Sequence, residues 1–361
     1  VNGPRGNGDF TLTDPKRYPF AFSEQPVLQA VNRQLIKAKP AYHKATLLKP
    51  VHKDAEFSSI CHKVHLPPDL NHYRWLRGQD HYDSFLLSGV SGHRVDSFYY
   101  PPRARHGCTD CHMPPVVSDD PAAREPAEST PRSVHDHLFA GANTAVPWMT
   151  GDTAANGART AMLQRSARVD LFALRAGGSV DGDLLGPLRP TLPVLEPGGQ
   201  YLLEAVIRTT GIGHALTQGT SDSNELWLEV VLKDGERIIG RSGGVNERLE
   251  VDPWSYFINS YLLDKDGKRI DRRNAQDIVV ALYNHQIPPG AASVTHYGIR
   301  LPDELRGPVT MEARLHYRKF DSRFYAHVRG DAYNGNDLPV TTMAVDRVIL
   351  PIAGGYPVTF P

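Results

Sequence analysis

The chain has 361 residues, and 40 lysines and arginines balance 40 aspartates and glutamates, which excludes a broad basic field for nucleic acid or anionic lipid. Twenty-nine prolines and 31 glycines favour turns and short elements over long helices, and no apolar run approaches the roughly 20 residues a membrane-spanning helix needs. The length exceeds what one small core serves and points to two domains.

In chain order, residues 1–18 read as an irregular lead, with Gly3, Gly6 and Gly8 followed by Pro15. No charged-then-apolar leader follows Val1, as expected of a processed form or the later part of a longer chain. A helix is predicted from near Ser23, whose hydroxyl can cap free amides, through Pro26 in the first turn to about Lys37. From His43 to Pro115 short helices and loops are expected, and Pro114 to Pro131 reads as a surface loop leading to His135 and His137.

Two cysteine motifs sit in that stretch. Cys108-Thr109-Asp110-Cys111-His112 spells C-x-x-C-H, the attachment signature of a c-type haem. Each thiol adds to one vinyl group of a single porphyrin, and the adjacent histidine becomes the proximal iron ligand. Ser58-Ser59-Ile60-Cys61-His62 is the same pentapeptide with a serine in first place. A hydroxyl forms no thioether, so this site either holds haem c by a single thioether at Cys61 with His62 as ligand, or has lost its haem and left an inert thiol. Structural zinc wants four ligands, usually in paired knuckles, and Cys61 is the sole cysteine beyond the C-x-x-C-H pair.

Of 16 histidines, 11 fall between His43 and His137. A low-spin electron-transfer haem needs a sixth ligand, and imidazole is the usual one. His52, His65, His72, His81, His93, His106, His135 and His137 are candidates, each also readable as an ordinary polar residue. His81, His93 and His137 rank first. His93 follows Gly89 and Gly92, which let the backbone approach a flat macrocycle. His135 and His137 form a His-x-His whose rings share one side of an extended segment. The rings of Tyr73, Trp75, Tyr82, Phe85, Phe98, Tyr99 and Tyr100 could wall a porphyrin or make an ordinary small core.

Beyond about Thr150 the pattern turns to period two. Val309, Met311, Ala313, Leu315 and Tyr317 alternate with polar residues, His316 among them. Leu226–Leu232 and Arg237–Gly240 flank Asp234-Gly235, and Tyr256–Leu263 and Lys268–Ile270 flank Asp266-Gly267, both tight-hairpin signals. Further strands are expected at Val169–Leu174, Tyr201–Thr209, Ile278–Tyr283, Ser293–Leu301 and Val340–Leu350. About eight to ten strands without convincing helices read as an antiparallel β-sandwich. The Asp264-Lys265-Asp266-Gly267 stretch lacks the remaining ligands of a calcium loop and reads as a hairpin. The predicted architecture is α+β and multidomain: an irregular, short-helix haem c domain over 1–150, then an immunoglobulin-like β-sandwich over 151–361.

The text Glu56-Phe57-Ser58-Ser59-Ile60-Cys61-His62-Lys63-Val64, then Leu76-Arg77-Gly78-Gln79, His81-Tyr82-Asp83, Gly89-Val90-Ser91-Gly92-His93 and Cys108 to Met113 resembles multihaem cytochromes c related to the tetrahaem cytochrome of ammonia oxidisers. The resemblance covers most of the chain and implies the carboxy-terminal portion of a longer multihaem protein with an appended sandwich. In such proteins a Gly-His at the start of the sandwich often supplies a distal haem ligand; Gly213-His214 stands in that position, with Ala215-Leu216-Thr217-Gln218-Gly219 in place of the usual Phe-Pro and glycine turn. Ser58 also departs from the family, which carries cysteine there.

The leading functional expectation is an electron-transfer cytochrome with about two haems, passing electrons to other haems or partner cytochromes. Its rivals are a multihaem oxidoreductase of nitrite or hydroxylamine type and a structural subunit of a cytochrome assembly. Covalent haem attachment occurs outside the bacterial inner membrane, so the expected address is periplasmic or extracellular. The expected partners are other haem-bearing subunits, in a complex or filament.

Overall fold

The computed structural model describes residues 6–12, 14, 17–47, 49–66, 69, 77–120, 123–125, 130–305 and 307–354. His72, Tyr73, Trp75 and Leu76 lie outside these, as does part of the expected lead. The chain opens with α1 (Pro26–Ala38), α2 (Pro40–Leu47) and α3 (Ala55–His62), followed by the short strands β1 (Lys63–His65) and β2 (Arg77–Asp80). Next come α4 (His81–Leu86), the single turn α5 (Thr109–His112), β3 (Pro115–Val117), β4 (Ser133–His135), α6 (Ala145–Thr150) and α7 (Thr153–Leu163).

Two local devices set the front of the molecule. β1 and β2 pair antiparallel with Lys63 opposite Asp80, which places the preceding His62 and the following His81 side by side. Asp80 also caps α4 by accepting from the Asp83 amide at 2.9 Å, and Lys63 binds the Asp83 carboxylate at 2.9 Å. A small core of Ala55, Tyr82, Phe85 and Val90 closes between α3 and α4, with Cys108 packed on its edge. Helices α1 and α2 bury no side chain.

The larger part is a sandwich of antiparallel strands: β5 (Ala167–Ala176), β6 (Leu184–Leu185), β7 (Gln200–Thr209), β8 (Glu225–Asp234), β9 (Arg237–Ser242), β10 (Tyr256–Phe257), β11 (Ser260–Leu263), β12 (Val280–Asn284), β13 (Ala292–Arg300), β14 (Val309–Arg318) and β15 (Thr341–Leu350), with α8 (Ser322–Arg329) between the last two. One sheet runs β13-β7-β5-β6; the other runs β10-β8-β14-β15, with β9 also paired to β8. Strands β11 and β12 pair with each other as a separate two-stranded sheet, so the sandwich proper consists of the four-stranded and five-stranded antiparallel sheets. The inner faces meet through Leu171, Leu203, Ile207, Leu228, Met311, Leu315 and Leu350, all essentially inaccessible. Registers Leu315↔Leu228 and Met311↔Leu232 align apolar side chains across β14 and β8, as the period-two pattern requires. The sheets are also tied directly: Asp346 on β15 accepts from the Leu171 amide of β5 at 2.7 Å and takes a two-pronged contact from Arg189 at 2.7 and 3.1 Å.

Several expectations are corrected. The helix predicted from Ser23 starts at Pro26, with Ser23 accepting from the Gln25 amide instead of capping helical amides. The Pro114–Pro131 loop contains β3, which pairs with β4. Helices α7 and α8 stand where only strands were expected, each capped by an aspartate: Asp152 accepts from Ala155 and Asp321 from Phe324. The Asp266-Gly267 hairpin shrinks to one bridge between Leu263 and Arg269, because β11 takes β12 as its partner. Asp264 accepts from the amides of Asp266 and Lys268 there, closing a turn.

Replacing Leu315 by alanine should cost about 2–5 kcal/mol in urea unfolding, whereas Leu282→Ala, 63% exposed on β12, should stay within about 0.5 kcal/mol. Burial raises the Glu229 carboxyl, but hydrogen bonds from His316 and Arg241 outweigh it and hold the group at about 2. Its stabilising effect is therefore complete above the ordinary carboxylate range and is lost as pH falls toward 2. Glu229→Gln should flatten that acid limb of a stability-versus-pH curve.

Candidate functional site

The site lies at the seam between the helical front and the sandwich edge. The loop that leaves β7 at Thr209 folds back over α4. Its Ala215 amide donates to the Ser84 hydroxyl at 2.9 Å, its Gly213 carbonyl accepts from Ser88 at 3.1 Å, and Gln218 donates to the Asp80 carbonyl at 2.9 Å. Tyr100 donates to the Thr210 carbonyl. A Cβ at residue 213 would stand 3.2 Å from the Phe85 ring, so glycine lets the backbone lie close on α4 and turn His214 inward.

Four imidazoles converge there. His62 and His81 are 5.4 Å apart between ring centroids with planes at 83°, His81 and His214 4.9 Å apart at 84°, and His112 and His214 6.3 Å apart and nearly parallel at 5°. Each cysteine motif contributes one ring, α4 contributes His81, and the sandwich loop contributes His214. His112 Nδ1 lies 2.6 Å from the Ala140 carbonyl, an arrangement that fixes Nδ1 as the protonated nitrogen and leaves Nε2 as a ligand atom. His62 Nδ1 is 3.2 Å from the Gln79 side chain. His81 Nδ1 is buried without a partner. Gly219, at φ +85°, passes the other edge of that ring, where a Cβ would stand 3.4 Å from Cε1.

Three of the four rings, His62, His81 and His214, are pushed toward the neutral form. Burial, then repulsion from His214, His62 and His112, pushes His81 down to about 2. Burial pushes His214 to about 4 against the help of its hydrogen bond to the Ala215 carbonyl. Burial, then His112, lowers His62. Neutral imidazole is the form that binds a metal. Among the described residues no group of three or more His, Cys, Asp or Glu side chains is arranged to hold a bare ion, so the rings do not form a zinc-type cage.

Helix α3 presents Cys61 at the surface because Ser59 and Ile60 are the buried pair, Ser59 donating to the Glu56 carbonyl at 2.6 Å. Gly107 lets the second motif pass the Lys53 carbonyl, which a Cβ would approach to 2.5 Å, and Asp110 accepts from the amides of His106 and Gly107. Cys108 is half-buried and hydrogen-bonded to Ser58; burial raises its thiol against that bond. Burial likewise raises Cys111, opposed by Arg105. Neither thiol has the depressed pKa of a catalytic nucleophile.

Other candidates stand apart. His93 is exposed after Gly92 at φ +80°. His135 is exposed, its Nδ1 2.6 Å from the Met113 carbonyl, and His137 lies edge-on to Phe139 at 6.1 Å. Of the aromatic wall, Tyr82 and Phe85 are buried, but Phe98 and Tyr99 are 86% and 84% exposed and wall nothing. Sequence reasoning missed Gln79, the Ala140 carbonyl and Gly219; of these, only the glycine left a signal.

No protein-family model matches the chain, and no curated protein matches it. Among solved structures it is similar to a penta-haem cytochrome c552 from Thermochromatium tepidum, at 14% identity and a TM-score of 0.47, over 82% of this chain and 56% of that one. A second is Spo0M, a sporulation control protein from Bacillus subtilis, at 10% identity and a TM-score of 0.20, over 52% of this chain and 49% of that one. The chain thus spans little more than half the length of the cytochrome.

Because His62, His81 and His214 are all held below the ordinary value of 6.5, the unfolded chain binds the extra protons. Stability of the chain without any prosthetic group should be complete above pH 6.5 and fall as pH drops below it. Urea midpoints at about pH 7 and pH 5 should show this fall, and His81→Phe should reduce it.

Proposed function

We propose that this chain is an electron-transfer multihaem cytochrome c. In this reading one haem c is attached through Cys108 and Cys111 with His112 as proximal ligand, and a second through a single thioether at Cys61 with His62. His214, parallel to His112, and His81, beside His62, would supply the further imidazoles that hold the two haems. The observation that carries the reading is the convergence of four imidazoles, one from each cysteine motif and two from the seam. His112 and His214 lie 6.3 Å apart between ring centroids with nearly parallel planes, and His62 and His81 5.4 Å apart at 83°.

Bound iron would supply one-electron redox chemistry. The chain's own residues do the rest. Ala140 and Gln79 orient the two proximal rings, α4 and the 210–219 loop bury the distal pair, and Gly219 keeps the edge of His81 clear. Balanced charge argues for partner choice through local patches, with other cytochromes or haem-bearing subunits in a complex or filament as the partners. No described helix is long and apolar enough to cross a membrane. Haem attachment places the protein in the periplasm or outside the cell. The haem domain covers 1–150 and the sandwich 151–361, the latter supplying His214 and a docking surface.

Pyridine haemochrome against protein mass should give two haems per chain with low-spin spectra in both redox states. A preparation matured with the cytochrome c attachment machinery that contained no haem would overturn the reading, and a high-spin band in the native protein would favour an oxidoreductase. His214→Ala should convert one low-spin haem to high spin and His81→Ala the other, with covalent haem at Cys108 and Cys111 retained in both.

A further inference from the structure

The loop that carries His214 runs on past Gly219 into a knot of buried charge. Arg318, 1% exposed, is paired with Glu225, and Arg269 with Asp321 at 3.2 Å. Arg273 donates to the hydroxyls of Ser223 at 2.8 Å and Thr220 at 3.1 Å and lies over the rings of Phe320 and Phe324, 4.8 and 4.4 Å from their centroids. Lys319 lies 3.4 Å from the neutral Asn224 side chain and over the Phe320 ring at 5.8 Å, and it shares the field of Asp222 with Arg273. The remaining carboxyl, Asp222, forms no ion pair with either, and burial raises its pKa. The knot therefore holds one cation more than it holds carboxylates, and the surplus sits with Lys319.

That surplus charge faces the site. Gly219 lies against the His81 ring, where a Cβ would stand 3.4 Å from Cε1, and the next residue, Thr220, accepts a hydrogen bond from Arg273 at 3.1 Å. The same flank contains buried polar atoms without partners: His81 Nδ1, Thr217 Oγ1 in the loop, and Tyr317 Oη two residues before Lys319 on β14. A half-buried ammonium whose nearby carboxylate is shared with Arg273, beside buried polar atoms without partners, is an anion seat waiting for a negative partner, since burying a cation without one is costly.

We propose that Lys319, backed by Arg273, binds a carboxylate of the porphyrin whose iron His81 ligates, the carboxylate being a haem propionate. The inference rests on the haem reading above and adds to it which residues neutralise the cofactor. A positive charge beside a haem favours the reduced state, so removing it makes reduction harder.

The test is spectroelectrochemical titration of the haem-loaded full chain, with haem counted in each sample. Lys319→Gln should retain both haems and shift the potential of one of them to more negative values, leaving the other in place, and Lys319→Arg should restore the original value. Two intact haems with unchanged potentials in Lys319→Gln would overturn the proposal. Acetate added to the wild-type protein separates the two sources of carboxylate. Potentials that do not respond support an internal propionate, and a response that Lys319→Gln abolishes would mean that the seat takes a free anion and overturn the assignment. Wild-type chain without haem would instead sink the functional reading itself.

Discussion

The arrangement depends on one contact: the loop after β7 lies flat on α4. Ser84, Ser88 and the Asp80 carbonyl each take a hydrogen bond from or to that loop, and each such bond is worth only about 1 kcal/mol net. Their collective effect is positional. Gly213 lies so close on α4 that a Cβ would stand 3.2 Å from the Phe85 ring, and a loop moved outward would withdraw His214 from His112. The seam thus makes the imidazole cluster a property of the folded whole, with two rings from segments far apart in sequence.

Bringing four imidazoles together would be unfavourable if they were charged. Burial and mutual repulsion work in the same direction at His62, His81 and His214, and both push these rings toward the neutral form. A neutral cluster avoids the desolvation penalty that buried cations incur and keeps its nitrogens as electron-pair donors. The charge that does exist nearby is gathered a short step away, on Arg269, Arg273, Arg318 and Lys319, where aromatic faces and carboxylates absorb most of it.

The sandwich was legible because its signal is local. The alternation from Val309 to Tyr317 specifies a half-buried strand wherever it sits, and β14 occupies Val309–Arg318. Asp234-Gly235 marks the β8–β9 hairpin, with Gly235 at φ +59°. Asp266-Gly267 carries the same dipeptide, yet its flanks found other partners, because β12 offered β11 a longer apolar run. Helices α7 and α8 hid behind short sequences whose plainest sign was an aspartate cap. At the site, the motif histidines were legible from covalent chemistry, but the placement of His81 beside His62 comes from the Lys63↔Asp80 register, a pairing across a gap that no spacing rule encodes. His93 and His135 had good local credentials and still lie away from the cluster, since a flexible glycine or a His-x-His says how a ring could point and nothing about what it meets.

Ser58 is the residue by which the first pentapeptide departs from C-x-x-C-H, and it lies against the second. Its hydroxyl is hydrogen-bonded to the Cys108 thiol, so the first position of one motif touches the first position of the other. A thiol there would set two sulfurs against each other within reach of oxidation to a disulfide, which forms readily between adjacent cysteines in an oxidising compartment. Such a bond would consume the cysteine that opens the complete C-x-x-C-H motif. Serine keeps the contact, satisfies the half-buried thiol with a hydrogen bond, and cannot be oxidised, so Cys108 remains available while Cys61, exposed on the far turn of α3, is left as the single thiol of its own site.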